Sequence, residues 1–594
     1  MLQGRYSENR VATLLILIIF FCIILSLAAY ILFGHNIIRA MYDGKSSGFL
    51  NSIVEKPIRH PVEYYIEKGD ELFAVYIIPL VISSVFFVFF RLFLRLNLPD
   101  LLIALPITMF SSASIIYRTL LSPAFMWNSR RLAWVFSIAY GYKLYYGPHS
   151  GPVLPTIYGP MAALVYLPAT LVNNPVYAVI LGSCISACFY FIPMFWLHAR
   201  NNLSDPKRSL FALLAFACFC LSTFNSKTLS YSAFAIHADA PALGLCAAAC
   251  AILYFRKQRE NITPLFLSAI FSVLTVFTKQ IFAPILLALP FYVLLADGYR
   301  CSKRYLLCIS LSLFFISIPF LIFLNAKDMI FNMFINPIHH PWRFPDKTYA
   351  LCAASKLLID RSILLIAVLI FYYFFRSLSV SGATDKKKLW LGSSPWVMLA
   401  IVGFFMIPTS LLGRVKVGSG VNTLSPAVYF LSGAVTLVFI EFLSDLSSCH
   451  SRLTQMVTKT VLIAFIMLKL FSKAYFYPIS DTLDKIELAK ERLKLEYGFA
   501  KKHPGEVYFP DDPLVHLLIE GKLYHNVYDV WERQLAGFKI SREHFRAHIP
   551  RDCRWIAFCR YKGQKISYTI GYLPEFSKSV EIEELSNYSV YERK

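Results

Sequence analysis

What most constrains this chain is a series of apolar runs long enough to cross a bilayer. A membrane-spanning helix needs roughly 20 consecutive apolar residues. The segments 11–33, 72–93 and 175–197 are the clearest cases. Inside lipid the backbone must satisfy its own hydrogen bonds, so runs of this kind fold as helices. Only 16% of the residues are charged, against about 25% in a soluble domain, so most of the chain need not face water. An aromatic share of 16% suits lipid-facing surfaces and interfacial belts.

The formal net charge is +22. In a soluble protein that would suggest nucleic acid. Here the basic residues gather in short loops between apolar runs, the pattern of cytoplasmic loops facing anionic lipid. Membrane lipid is therefore the expected partner, and nucleic acid is not. An anionic lipid substrate is a further reading of the same charge. Arg91, Arg95, the run Arg256-Lys257-Gln258-Arg259, the trio Arg300, Lys303 and Arg304, and Lys386-Lys387-Lys388 mark the inner side. Tracing the alternation puts the N-terminus in the cytoplasm and gives about thirteen spans. The apolar stretch 161–171 is too short to cross, and Asn173-Asn174-Pro175 ends it. It reads as a short helix entering the outer leaflet against protein.

The expected architecture is an all-α polytopic membrane protein with a small α+β extracytoplasmic C-terminal domain. Residues 1–474 form the membrane part, with outer loops 34–71, 118–158 and 325–361. Residues 475–594 form the soluble domain, in which 483–497 has helical spacing and 505–511 and 555–561 read as strands. Of the 13 cysteines, Cys218, Cys220, Cys246 and Cys250 sit in apolar runs and read as small core residues. Cys553 and Cys559 would lie roughly 20 Å apart along one extended strand, too far to bond to each other.

Function is sought in the long outer loops, which a rigid scaffold would hold. Asp43 follows the first span, where a carboxylate at the membrane surface can act as a general base on a hydroxyl; a solvated loop acid is the plainer reading. The second loop carries Tyr146 in a Gly- and Pro-rich stretch, then Tyr158-Gly159-Pro160, offering aromatic faces that suit sugar rings. Arg130 and Arg131 precede a stretch read as amphipathic and interfacial, and together suit a phosphate. His237 and Asp239 open an inward span, where Asp239 also suits an N-terminal cap. Lys279 stands between apolar runs, and either snorkels or meets a charge. Arg414, Lys416 and Asn422 lie in a basic, glycine-rich outer turn able to cradle phosphate. A divalent metal ion stays open as a cofactor, with no strong ligand motif in the sequence.

In their order and sidedness these pieces resemble the GT-C class of membrane glycosyltransferases, which includes protein O-mannosyltransferases and the lipid A aminoarabinose transferase. The resemblance covers most of the chain. It implies a polyprenyl-phosphate-linked sugar donor, a glycan, lipid or protein acceptor, and inverting transfer on the extracytoplasmic face of a bacterial inner membrane. It also implies Asp43 as catalytic base. Arg130, Arg131, Tyr146, Tyr158, His237, Asp239, Lys279, Arg414, Lys416 and Asn422 would bind substrate. Members of the class often pair the acid with a second one, whereas Gly44 and Lys45 follow Asp43. The second loop has Asn128 where an acid would be wanted. A lipid-linked glycan polymerase or ligase, centred on His339-His340-Pro341-Trp342-Arg343, is the enzyme alternative. A transporter or flippase is the other, although mid-span acids are scarce.

Overall fold

In a computed structural model, the structure describes residues 98–199, 206–256, 261–343, 347–359, 395–449, 479–559 and 569–594, with a few positions between 77 and 85. The expected span at 11–33 lies outside the described residues, as do Asp43 and most of 72–93. The chain divides into two compact units. One comprises residues 1–121, 198–221 and 439–488; the other comprises 122–197, 222–438 and 489–594.

The helices are α1 (Leu98–Leu120), α2 (Met126–Ala139), α3 (Pro175–Ala199), α4 (Pro206–Asn225), α5 (Lys227–Phe234) and α6 (Asp239–Tyr254). They continue as α7 (Ile262–Val276), α8 (Ile285–Asp297), α9 (Tyr299–Phe323), α10 (Lys347–Ile359), α11 (Pro395–Arg414) and α12 (Ser425–Cys449). The last four are α13 (Ile479–Lys502), α14 (Pro513–Glu520), α15 (Val527–Leu535) and α16 (Arg542–Ala547). Among the described residues 6 helices are long and apolar enough to cross a membrane, or up to 7 if the bent pair α4–α5 counts as one span. In the first unit, Tyr117 of α1 packs with Ile486 of α13.

The second unit holds the sites discussed below. Its helix starts are written locally: Ser226 caps α5, Asn261 caps α7 and Asn526 caps α15, each side chain accepting from a free first-turn amide. Helix α6 is rich in Ala, and a Cβ on its Gly244 would stand 2.2 Å from the carbonyl oxygen of Phe189 on α3. Small residues let two backbones approach in this way. Helix α7 packs on α6 and on α9, and α8 packs on α9 and α11.

Stretch 161–171 is short and helical as expected, with an α-turn at Met161–Leu164 and a 3-10 turn at Leu167–Leu171. The supposed interfacial stretch after Arg131 differs. It is α2, and Asn128 to Arg130 and Leu132 to Ser137 are buried. Its polar residues bond to protein rather than face headgroups. Loop 325–361 is also more ordered than expected, with helical turns at Ala326–Ile330, Phe331–Ile335 and Asn336–His339 before α10.

The C-terminal residues carry helix and sheet together. Strands β1 (Val507–Tyr508), β2 (Trp555–Cys559), β3 (Lys578–Val580) and β4 (Tyr588–Glu592) form one sheet in the order β1-β2-β4-β3. β1 runs parallel to β2, and the other pairs are antiparallel. Alternate side chains face opposite sides of a strand. Tyr508, Ile556 and Phe558 accordingly enter one core, while Val507, Ala557 and Val590 enter another. Cys553 and Cys559 are not bonded to each other.

Candidate functional site

A cavity of 660 Å³ opens in the second unit. Its wall includes Arg131, Tyr158, His237, Lys279, Lys416 and Asn422, six of the residues singled out from the sequence. Behind that wall lies a fully buried carboxylate, Asp239.

Asp239 is the first residue of α6, but its side chain does not cap the helix. One carboxylate oxygen takes the ammonium of Lys279. The other accepts from Asn422 Nδ2 at 2.8 Å and lies 2.6 Å from His237 Nδ1. The Asp239 amide reaches the same Nδ1 at 3.3 Å, and Nε2 pairs with the Tyr158 hydroxyl at 2.7 Å. The result is a connected chain from cavity to buried acid, Tyr158–His237–Asp239–Lys279. A lysine this deep is stable only with a partner, and Asp239 supplies it.

Each member is set by its backbone. Ile236 donates its amide to Asn128 Oδ1 at 2.8 Å, and Tyr166 donates its hydroxyl to the His237 carbonyl at 2.8 Å. Asn128, read above as a missing acid, is thus a buried clamp on the segment that carries His237 and Asp239. The Tyr158-Gly159-Pro160 loop is bound to the turn bearing Lys279. Gly159 donates to the Thr278 carbonyl at 3.2 Å, and Met161 to that of Phe277 at 3.2 Å. A Cβ on Gly159 would stand 1.9 Å from the Phe277 oxygen, so only glycine permits this contact. Gln280 adds two bonds, to the carbonyls of Ile157 at 3.0 Å and Met333 at 2.8 Å.

The two neighbouring arginines separate. Arg131 lines the cavity, donating to the Ile236 carbonyl at 3.0 Å and the Tyr231 hydroxyl at 2.9 Å. Arg130 turns the other way and pairs with Asp511, donating also to the Asp511 carbonyl at 2.7 Å. Residues one apart on a helix do not share a face, so the expected joint grip on a phosphate is not formed. Asp511 and Asp512 are likewise anchors: Ser129 donates to Asp512 at 2.7 Å and Arg492 at 3.1 Å.

The basic turn after α11 divides in the same manner. Arg414 folds back onto the Ser419 carbonyl at 3.0 Å and lies outside the cavity lining. Lys416 lines the cavity, over the Trp342 ring at 4.5 Å, with its ammonium held by the carbonyls of Pro337 and Ile338 at 2.7 and 2.9 Å. Tyr146 also lies outside the lining, its ring against Gly151.

Four other lining residues were not assigned to this site from the sequence. His340 and Trp342 line the cavity, although they were assigned to the alternative function. Asp529 and Glu532 line it from α15. Their spacing of three residues on one helix was the available signal. It was hidden in a segment treated as a separate soluble domain.

One solved structure similar to this chain is that of ArnT from Cupriavidus metallidurans in the apo state, at 10% identity and a TM-score of 0.47, over 78% of this chain and 92% of that one. The Archaeoglobus fulgidus oligosaccharyltransferase in complex with Zn and sulfate is also similar, at 12% identity and a TM-score of 0.37, over 78% and 70%. Its apo form gives 11% and 0.36, over 75% and 69%. No family model matches the sequence, and no curated protein does.

Proposed function

We propose that this chain is a membrane glycosyltransferase that moves a sugar from a polyprenyl-phosphate donor to a glycan, lipid or protein acceptor on the extracytoplasmic face. The observation that carries the reading is the cavity wall, where a buried lysine held by Asp239 stands beside aromatic rings and apolar side chains. Lys279, Lys416 and Arg131 supply positive charge for a phosphate. Trp127, Tyr158, Tyr231 and Trp342 offer faces to a sugar, and Phe334, Ile338 and Leu412 offer an apolar path for the start of a polyprenyl chain.

In this reading a base removes the proton of an acceptor hydroxyl, with Asp43 the residue assigned from the sequence. The acceptor oxygen attacks the anomeric carbon from the face opposite the phosphate. The bond from that carbon to the phosphate oxygen breaks, and polyprenyl phosphate leaves with the electron pair. Lys279 faces the charge that develops on the leaving oxygen, and fixed cations aimed at developing charge are a large source of rate. Asp239 is a positioning residue that holds Lys279 and His237.

The test is transfer of radiolabelled sugar from a panel of polyprenyl-phosphate sugars by purified protein in nanodiscs. Lys279→Met is expected to lower turnover by about 10²-fold or more, the scale of losing one charge-stabilising group. Asp43→Asn is expected to abolish turnover while donor still binds. Failure of every donor to bind the wild type would sink the proposal. His340 and Trp342 in the cavity wall favour a lipid-linked glycan polymerase or ligase as the second reading, and that reading requires the product to lengthen with time.

A further inference from the structure

Away from the cavity, three imidazoles meet where the second loop docks on the C-terminal residues. His525, His544 and His548 have ring centroids 4.7 to 5.5 Å apart. One nitrogen of each lies within 4.8 Å of the others, close enough to suggest a shared metal ion. The hydrogen bonds point elsewhere. A metal ligand must offer a lone pair. His525 Nδ1 spends its lone pair on the Val153 amide at 2.9 Å, so its proton sits on Nε2, facing the His544 carbonyl at 3.4 Å. A metal on His525 would have to break a buried hydrogen bond to the loop.

We propose that this cluster is a proton-operated latch, in which neutral His525 holds the loop at Val153 and protonation of His525 releases it. The requirement is geometric. An imidazolium has two N–H groups and no lone pair, so on protonation the Val153 N–H faces another N–H. His525 is fully buried, which makes an unpaired charge there costly. The groups facing it add to that cost. His544 and His548 come from α16 and its end, and Arg533 from α15. His149 of the loop faces His544, and Tyr508 of β1 donates its hydroxyl to the His525 carbonyl at 2.7 Å. Burial, then His548 and His544, hold the His525 imidazole well below its usual range.

The latch has a second contact and a lever. His544 Nε2 donates to the Gly151 carbonyl at 2.9 Å, so the cluster grips the loop at two residues. Asn526 donates its amide to the Val153 carbonyl at 3.0 Å, a bond that protonation leaves in place. A few residues on, the same loop supplies Pro155, Ile157 and Tyr158 to the cavity wall. Releasing Val153 therefore loosens one wall of the cavity under acid conditions. This holds whatever reaction the cavity serves.

The test is hydrogen exchange of the loop amides in the full chain in nanodiscs, from about pH 7.5 to about pH 5, corrected for the intrinsic pH dependence of exchange. Protection of the segment 147–156 in the wild type is expected to fall by about tenfold or more below about pH 6.5, at a slope of one proton. His525→Gln keeps an acceptor oxygen for Val153 and removes the titration, so its protection should stay flat across the range. If that variant does not fold, the pair His544→Gln and His548→Gln serves instead. It removes two facing imidazoles, eases protonation of the closed latch and should make the fall smaller. Wild-type protection that does not change with pH would overturn the latch. So would a His525→Gln profile matching the wild type, or an undiminished fall in the double variant.

Discussion

At the scale of the residue, the buried pair Lys279–Asp239 behaves as one object. Removing either partner leaves an uncompensated charge in the interior, at a cost of about 3–5 kcal/mol. Lys279→Met and Asp239→Asn should each lower thermal stability sharply. The double variant should be less destabilised than the sum of the two, as a double-mutant cycle of unfolding in detergent would show. Additive losses would mean that the pair is not coupled. Gly159 gives a sharper case. Gly159→Ala places a methyl 1.9 Å from the Phe277 oxygen, and overpacking of that kind costs about 1–3 kcal/mol, sometimes more. The loop must then leave the Lys279 turn, so sugar transfer should fall together with the melting temperature. His525 adds a pH dependence. Its pKa in the fold is depressed relative to about 6.5 in the unfolded chain. Below about 6.5 the unfolded state takes the proton first, so the stability this imidazole contributes is complete above that pH and is lost as pH falls toward the folded value. Melting temperature should drop between about pH 7 and about pH 5, and less so in His525→Gln.

At the scale of the element, periodicity and length made the long apolar helices legible. The expected span 175–197 corresponds to α3. The short helix at 161–171 was legible too, because Asn173-Asn174-Pro175 ends it. The direction of a side chain was not. Arg130 and Arg131 look alike in sequence, yet one anchors Asp511 and the other faces the cavity. That choice depends on what packs against α2, which local pattern does not carry. Helix α15 was missed as a cavity element for the same reason: its carboxylates matter only once β1 and α14 bring it near. Close packing between elements leaves a prediction of its own. Gly244→Val would push α6 from the Phe189 carbonyl of α3, and α6 carries Asp239. Loss of donor binding along with stability is expected, whereas Gly537→Ala, beside open space, tests only the strain of its own positive φ.

At the scale of the whole molecule, charge bias in the loops makes a statement about sidedness that a fusion can check. A phosphatase fused after Lys594 should be active only outside the cytoplasm, and one fused at Arg256 should be silent. The reverse result would move the cavity to the other face and remove the polyprenyl-phosphate donor from its path. Among the described spans, the helix most open to its surroundings adds a consequence for the lipid. Only 17% of the apolar window of α9 is buried, and Leu307, Phe314, Phe315 and Ile322 are exposed. From Tyr305 to Phe323 it rises roughly 28 Å, close to the hydrocarbon thickness of about 30 Å. Arg300, Lys303 and Arg304 stand in its first turns, where they can hold the headgroups. Such a helix is a fixed ruler with no spare length to tilt away. Stability and turnover should therefore peak in lipids whose acyl chains match it, and fall off in bilayers that are thinner or thicker.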